Sequence, residues 1–472
     1  MRLLDARRLT GPNLYAPIPV VLAEFASAPG EDREAATKLY LSELEGFYQA
    51  VGLGSPALDG VVTRPYAGGF AVAVPGPIDT LLAATEAAEW AADSAIDALS
   101  GLPHHSLEPR RSQIAAMVAE QSSPRLLAIA RAARARGLPL LWDDERVTVG
   151  AGARSRSWPR AEVPDASDIP WAELAGIPMA FITGTNGKTT SARLVARLGR
   201  EGGQVAGCSS TDGITVNGVF VEEGDCTGPF AARTLLARPD VEVAVLETAR
   251  GGILRRGLAV EVANVALITN VSDDHLGTYG IDDVPSMARV KAVVGNAVRP
   301  GGRVVLHADD VELMGLASTF AAPVVLFGSE PSSKAIAKHL REGGEAWTVI
   351  DGAIVRCTPG AVTPLCPIND IPIAYGGAAS FNIRNALGAA ATAHHLGVPD
   401  DAIAKALRGF EPTDQDNPGR GNLFTVQGVS VLLDFAHNAE AIRAVLEFAN
   451  ALRAPHRLTL AVGLPGDRSD AP

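Results

Sequence analysis

Cysteine is scarce in this chain. There are four in 472 residues (Cys208, Cys226, Cys357 and Cys366), and none forms a CxxC pair. That argues against a disulfide framework, and all four are expected as reduced thiols. No apolar run approaches the length of a membrane span. The start, Met1 to Asp5 followed by Arg7 and Arg8, lacks the uninterrupted apolar core of a signal peptide. The expectation is a cytoplasmic protein with no membrane partner. Positive charge is in deficit: 41 Lys and Arg stand against 53 Asp and Glu, for a net charge of −12. That excludes a sequence-independent hold on nucleic acid or anionic lipid, but not small anions, which bind in local pockets. There is no convincing internal repeat and no low-complexity tract.

What is present is apolar: 47% of residues are hydrophobic and 20% charged. Such a chain can bury large cores, and its length suggests two to four domains. The stretch Phe181 to Thr190 organises the rest. Pro178 to Ile182 reads as a short buried strand. The turn Gly184-Thr185-Asn186-Gly187 follows, and then a helix with Leu194, Val195 and Leu198 on one face. Strand, glycine-rich loop and helix together make a phosphate cradle. Glycines let successive N–H groups point at phosphate oxygens, and the helix start adds positive partial charge. Lys188 can reach the β- and γ-phosphates, and the hydroxyl of Thr189, next to Thr190, can hold Mg²⁺. Only two residues separate Gly184 from Gly187, where a Walker loop has four before its Gly-Lys pair. A lone Gly-Lys-Thr is often an ordinary turn; the flanking strand and helix are what favour the cradle.

Residues 1–170 read as an α+β domain. Val61 to Thr63 and Phe70 to Val74 look like strands, and Leu81 to Leu99 and Pro124 to Arg136 like helices. The arginines at 125, 131, 134 and 136 are read as a solvated helix face rather than an anion site. His104 and His105, without a partner ligand nearby, are read as loop. Residues 150 to 170 read as a linker. Residues 171–411 alternate strands (Val241 to Leu246, Asn264 to Thr269, Arg303 to Leu306, Val324 to Phe327) with helices. That implies an α/β fold: a central P-loop-type, mostly parallel sheet flanked by helices. In such sheets ligands sit beyond the strand carboxyl ends. Residues 412–472 read as one β-α-β unit, a partial Rossmann-like domain: strand Val429 to Leu433, helix Ala439 to Leu452, strand Leu458 to Val462. It is too small to stand alone, so the chain is either a fragment or leans on other surfaces.

Three further sites follow the strands. Glu247 closes one, opposite the phosphate loop, where Mg²⁺ needs a second anchor. Asp274 and His275 follow the next strand. Lys291 lies in a helix that begins near Val284-Pro285. Each alone has an ordinary explanation: a capping Glu, a turn-capping His, a solvated Lys.

In this order the residues closely resemble the Mur ligase family. The resemblance extends to Ala308-Asp309-Asp310, Asn382 and Asn385, Gly419-Arg420, and Asp434 to Asn438, so it covers about residue 171 to the end. Within the family the pattern is most similar to the C-terminal half of the cyanophycin synthetases. Thr211 to Ile214, Gly224 to Pro229, Leu246 to Arg255, Asp274 to Gly277 and Gly280 to Asp282 carry that likeness, as does Leu9 to Tyr15 near the start. One departure is large: those enzymes hold a long ATP-grasp domain before their Mur-like half, and here there is room for at most a remnant around Pro139 to Gly152.

The resemblance implies that Lys188 and the loop amides hold ATP phosphates. Thr189 and Glu247 would bind one Mg²⁺, and Glu247 and His275 would help hold a second. Lys291 matches a lysine that is carbamylated in the family, its carbamate completing the second metal site. Asn382 and Asn385 would lie near adenine, with Arg420 and Asp434 closing over the nucleotide. The activity implied is ADP-forming amide-bond ligation. An amino acid or peptide amine would be joined to a carboxylate or peptide acceptor through an acyl phosphate, because a carboxylate otherwise has only oxide as leaving group. Alternatives are a non-catalytic nucleotide-binding partner of another ligase, a peptidoglycan-type or folylpolyglutamate-type Mur ligase, and a P-loop phosphotransferase to a hydroxyl. A homo-oligomer stays open.

Overall fold

Alternation along one strand explains the architecture. In the computed structural model, which describes residues 1–102, 108–274, 276–330, 332–453 and 457–463, the strand at Met179–Thr183 is buried on both faces. Met179 and Phe181 enter one apolar core; Ala180 and Ile182 enter another. Strands covered by helices on both sides read as continuous apolar runs, and each fully buried large side chain contributes about 1.5–3 kcal/mol.

The N-terminal unit contains β1 (Arg2–Leu9), β2 (Val20–Ala26), α1 (Arg33–Val51), β3 (Val62–Tyr66), β4 (Gly69–Pro75), α2 (Leu81–Leu99), α3 (Glu108–Gln121) and α4 (Pro124–Ala135). The strands β5 (Leu140–Trp142), β6 (Arg146–Val149) and β7 (Arg156–Pro159) complete it. The first four strands form an antiparallel sheet in the order β1-β2-β4-β3, and β5-β6-β7 form a second, three-stranded one. Asp32 caps α1 by accepting from the Glu34 and Ala35 amides, and α1 and α2 bury Tyr40, Leu44 and Phe47 against the sheet. The stretch 150–170, expected as a linker, is folded instead. Its strand β7 pairs with β6, while Val163 and Ile169 enter the N-terminal core. Apolar residues spaced through a turn-rich segment pin it down. Pro139 to Gly152, the site expected for a remnant domain, holds the β5–β6 hairpin. In α4 Arg125 pairs with Asp165 and Arg134 with Glu261, and Arg136, just past the helix, lies over the Trp171 ring. His104 and His105 lie outside the described residues.

The central unit runs through β8 (Met179–Thr183), α5 (Lys188–Glu201), β9 (Ala206–Ser210), β10 (Gly213–Val216), β11 (Val219–Glu223), α6 (Pro229–Leu236), β12 (Val243–Glu247), α7 (Arg250–Arg256), β13 (Ala263–Ile268) and α8 (Val284–Asn296). It continues with β14 (Val298–His307), α9 (Val311–Leu316), β15 (Val324–Phe327), α10 (Lys334–Arg341), β16 (Glu345–Ile350), β17 (Ala353–Thr358), β18 (Ala361–Pro367), α11 (Ser380–His395) and α12 (Asp400–Arg408). Its 11 strands are ordered β11-β10-β9-β12-β8-β13-β14-β15-β16-β17-β18. The seven from β9 to β16 pair in parallel, and antiparallel strands extend both edges. The expected α/β fold is present. Because β8 sits between β12 and β13, the carboxyl ends of those three strands face one crevice.

The C-terminal unit holds β19 (Asn422–Val426), β20 (Val429–Leu433) and α13 (Ala439–Arg453). Here the expected β-α-β unit is corrected. The hairpin β19–β20 is antiparallel, and 458–462 is not a strand. A lone strand needs a ladder partner, and among the described residues β20 pairs only with β19; Leu458, Leu460 and Val462 stay exposed. The helix α13 instead inserts Phe448 between Tyr375 and Phe381, with ring centroids 4.8 and 5.9 Å apart. Among the described residues no helix is long and apolar enough to cross a membrane, and the four cysteines are free and buried.

Candidate functional site

The turn between β8 and α5 is shaped by two glycines. Gly187 has φ +82° and starts α5; a Cβ there would lie 2.3 Å from Asn385 Oδ1. A Cβ at Gly184 would lie 1.8 Å from Thr269 Oγ1. The loop is anchored to the end of β13: the Thr185 amide donates to the Asn270 carbonyl (2.9 Å), the Asn186 amide to Asn270 Oδ1 (2.8 Å), and Thr269 Oγ1 to the Asn186 carbonyl (2.6 Å). Lys188 Nζ turns back to donate to the Thr185 carbonyl at 2.9 Å. Burial pulls the Lys188 pKa down, against the charges of Glu247 and Asp274.

Oxygen donors converge beside this loop. Glu247, at the end of β12, is 2% exposed. Its Oε1 accepts from Thr189 Oγ1 at 3.0 Å and from Thr211 Oγ1 at 2.9 Å, and its Oε2 from the Thr211 amide at 3.1 Å. Among the described residues no cation pairs with it directly. A buried carboxylate flanked by two hydroxyls is a set of hard oxygen ligands suited to Mg²⁺. Thr190 donates to Asn417 Oδ1 at 3.2 Å.

Lys291 is buried in α8. Its pKa is well below the usual lysine value, first by burial and then by the charge of Lys188, while Asp274 and Asp310 pull the other way. His275 lies outside the described residues, so its expected place beside Glu247 has no structural account.

A cavity of about 190 Å³ runs from the phosphate loop to the C-terminal unit. Thr185 to Thr190, Thr211, Glu247, Asn385, Arg420 and Asp434 line it, with Phe327, Phe381 and Arg384 at one side and Phe435, His437, Glu440 and Ala441 across from the loop. The two units touch through the loop itself, where Asn186 bonds both Asn438 and Glu440. Arg420 pairs with Asp212 at 3.1 Å and lies 5.7 Å from the Phe435 ring. Burial raises the Asp434 pKa.

Asn382 stands one residue behind the cavity wall. It is not on the cavity wall: it donates to the Ile373 carbonyl at 3.0 Å and accepts from Asn385 at 3.2 Å, so it holds Asn385, which does face the cavity. Phe381, Arg384 and Asn385 share a face of α11 at i, i+3, i+4 spacing, a signal present in the sequence. Thr211, Asn270, Asn438 and Glu440 were also missed as site residues, although most lie in or beside the words that carried the family resemblance.

Residues 182–393 match the model of the Mur ligase middle domain. The chain is 39% identical over 320 residues to a cyanophycin synthetase of Trichormus variabilis, covering 67% of this chain and 35% of that one. To the cyanophycin synthetase of Synechocystis sp. it is 40% identical over 322 residues, 68% of this chain and 36% of the relative. It is 30% identical over 315 residues to the UDP-N-acetylmuramoyl-L-alanyl-D-glutamate--2,6-diaminopimelate ligase of Geobacter metallireducens, covering 62% and 56%. The chain thus spans about a third of the length of the cyanophycin synthetases it matches.

Proposed function

We propose that this chain, whose residues 182–393 match the Mur ligase middle domain, is an ATP-dependent, ADP-forming amide-bond ligase. It couples an amino acid or peptide amine to a carboxylate. The observation that carries this reading is the convergence of Thr189, Thr211 and Glu247 beside Lys188, at the tips of adjacent strands.

In this reading the loop amides and Lys188 hold the ATP phosphates, and Thr189 and Glu247 hold a divalent cation, whose chemistry is to offset charge on the transferring phosphoryl group. Lys188 adds a fixed positive charge next to the same oxygens. The base lies against Phe327, Phe381 and Asn385, with Asn382 fixing the Asn385 amide. Arg420 and Asp434 approach from the C-terminal unit, whose contact with the loop keeps water from the acyl phosphate. Lys291, buried with a depressed pKa, favours the neutral amine that carbamylation requires. A second cation held by Glu247, His275 and carbamylated Lys291 belongs to this proposal, as does an acidic or cyanophycin-like peptide acceptor.

The test is a phosphate-release screen of amino acids against carboxylate acceptors, aspartyl peptides included. Turnover that requires both partners together supports the ligase. Nucleotide hydrolysis indifferent to either sinks it. Lys291→Ala separates the runner-up, a non-catalytic nucleotide-binding partner: loss of turnover with ATP binding intact favours an enzyme.

A further inference from the structure

The segment that carries Asp274 runs on through residues 276–283 to the start of α8, the helix that holds Lys291. Asp274 lies near enough to Lys188, Lys291 and Arg250 to act on them electrostatically, so the placement of this segment contributes to the field at the site. Within the segment the Gly277 amide donates to the Ile281 carbonyl (2.8 Å) and the Ile281 amide to the Thr278 carbonyl (3.1 Å), and Ile281 is buried in the central core. The N-terminal unit adds a second set of anchors.

We propose that Arg64, in β3 of the N-terminal unit, is a positioning residue for the segment that carries Asp274 and leads into α8, and that the β3–β4 hairpin is a brace for the site. This rests on the ligase reading above. Arg64 grips two successive carbonyls, donating from Nη2 to Tyr279 and from Nη1 to Gly280, each at 2.9 Å. A planar guanidinium offers each carbonyl its own N–H in a fixed fork, which an ammonium on a flexible stem does not. The backbone there is bent into the left-handed region, with φ +56° at Tyr279 and +61° at Gly280. Tyr279 is not a glycine, so this conformation persists only if its surroundings impose it. They do so closely: a Cβ at Gly280 would lie 2.4 Å from the Tyr66 ring. The Ala67 amide, between β3 and β4, donates to Asp282 Oδ2 at 3.2 Å, and Arg7 of β1 lies 4.8 Å from the Tyr279 ring centroid. Two strands and a turn of the N-terminal unit therefore hold residues 279–282. On the site's own side, Arg250 Nη1 donates to Thr278 Oγ1 at 2.9 Å.

A residue that merely glued two domains together would not change metal affinity selectively. Groups that orient metal ligands do, with losses of about 10–100-fold. The experiment compares the full chain with Arg64→Met, Arg64→Lys and Asp282→Ala. It reads amide exchange over 276–283, Mn²⁺ titration of the nucleotide complex by calorimetry, and ATP binding in EDTA. Expected for Arg64→Met are faster exchange confined to that segment, a Mn²⁺ half-saturation raised about tenfold, and unchanged metal-free ATP affinity. Arg64→Lys should recover only part of the loss. If Arg64→Met does not fold, Asp282→Ala decides, with the same signs at smaller amplitude. Unchanged exchange, unchanged Mn²⁺ affinity, or a parallel fall in metal-free ATP affinity would overturn the proposal. None of these readouts needs turnover, so a wild-type protein that binds Mn²⁺ and ATP but forms no amide would defeat the ligase reading and still test the brace.

Discussion

The side-chain amides of Asn186 and Asn438 exchange two hydrogen bonds, 2.8 Å from Asn438 Nδ2 to Asn186 Oδ1 and 3.3 Å in return. One residue is the tip of the phosphate loop; the other begins the helix of the C-terminal unit, where its Oδ1 also accepts from the Ala441 amide at 2.9 Å. This pair closes the cavity over the loop. Each such bond contributes about 0.5–1.5 kcal/mol net. Asn438→Ala should therefore weaken ATP binding by about tenfold, measured calorimetrically, with the N-terminal and central units unfolding as before. Wild-type affinity in that variant would show that the contact does not contribute to binding.

Glu247 is buried among hydroxyls, and among the described residues no cation pairs with it directly. Glu247→Gln keeps the shape and removes the charge. Without metal the variant should unfold at a higher temperature, because a buried carboxylate costs more to desolvate than a neutral amide. Stabilisation by Mg²⁺ with ATP should disappear, and turnover with it. A variant that still gains stability from Mg²⁺ would move the metal away from Glu247.

Lys291 gives a pH signature. Its folded pKa lies well below 10.5, so between that value and about 10.5 the unfolded chain binds a proton that the folded chain does not. Stability then rises with pH across this window and is lost as pH falls through the folded value. Lys291→Met removes the contribution. Denaturant midpoints of wild type and variant should converge as the pH approaches about 10, with the variant the more stable at neutral pH. Parallel curves would mean that Lys291 keeps an ordinary pKa.

Gly187→Ala places a methyl 2.3 Å from Asn385 Oδ1 at a backbone angle that L-residues adopt at a cost of about 1–2 kcal/mol. The loop has to move, and ATP affinity should fall by more than tenfold. Gly428→Ala, also at positive φ but with open space around it, is the control for backbone strain alone. Equal effects of the two on ATP binding would discount the contact with Asn385.

The parallel core was legible because strands buried on both faces leave continuous apolar runs. Val324 to Phe327 and Leu81 to Leu99 carry the expected boundaries. The positions of Glu247, at the end of β12, and Lys188, at the start of α5, were legible because chemistry in this fold collects beyond the carboxyl ends of strands. What escaped the sequence depended on partners far along the chain. Leu458 to Val462 alternates like a strand but finds no ladder among the described residues. Residues 150–170 look like a tether in composition, yet Val163 and Ile169 are held by a distant core. Asn382 carried the right residue type for a ligand contact, and only the three-dimensional path of the Ile373 carbonyl turns it into a support for Asn385.

Oxygen-18 transfer tests the central claim most directly. An acceptor labelled in its carboxylate is incubated with ATP, Mg²⁺ and the amine that gives turnover, and the released phosphate is weighed by mass spectrometry. Activation as an acyl phosphate sends one labelled oxygen from the acceptor into phosphate for each amide formed. Unlabelled phosphate would mean that water or a hydroxyl receives the phosphoryl group, and the account of Lys188 and Glu247 as the activating pair would be wrong.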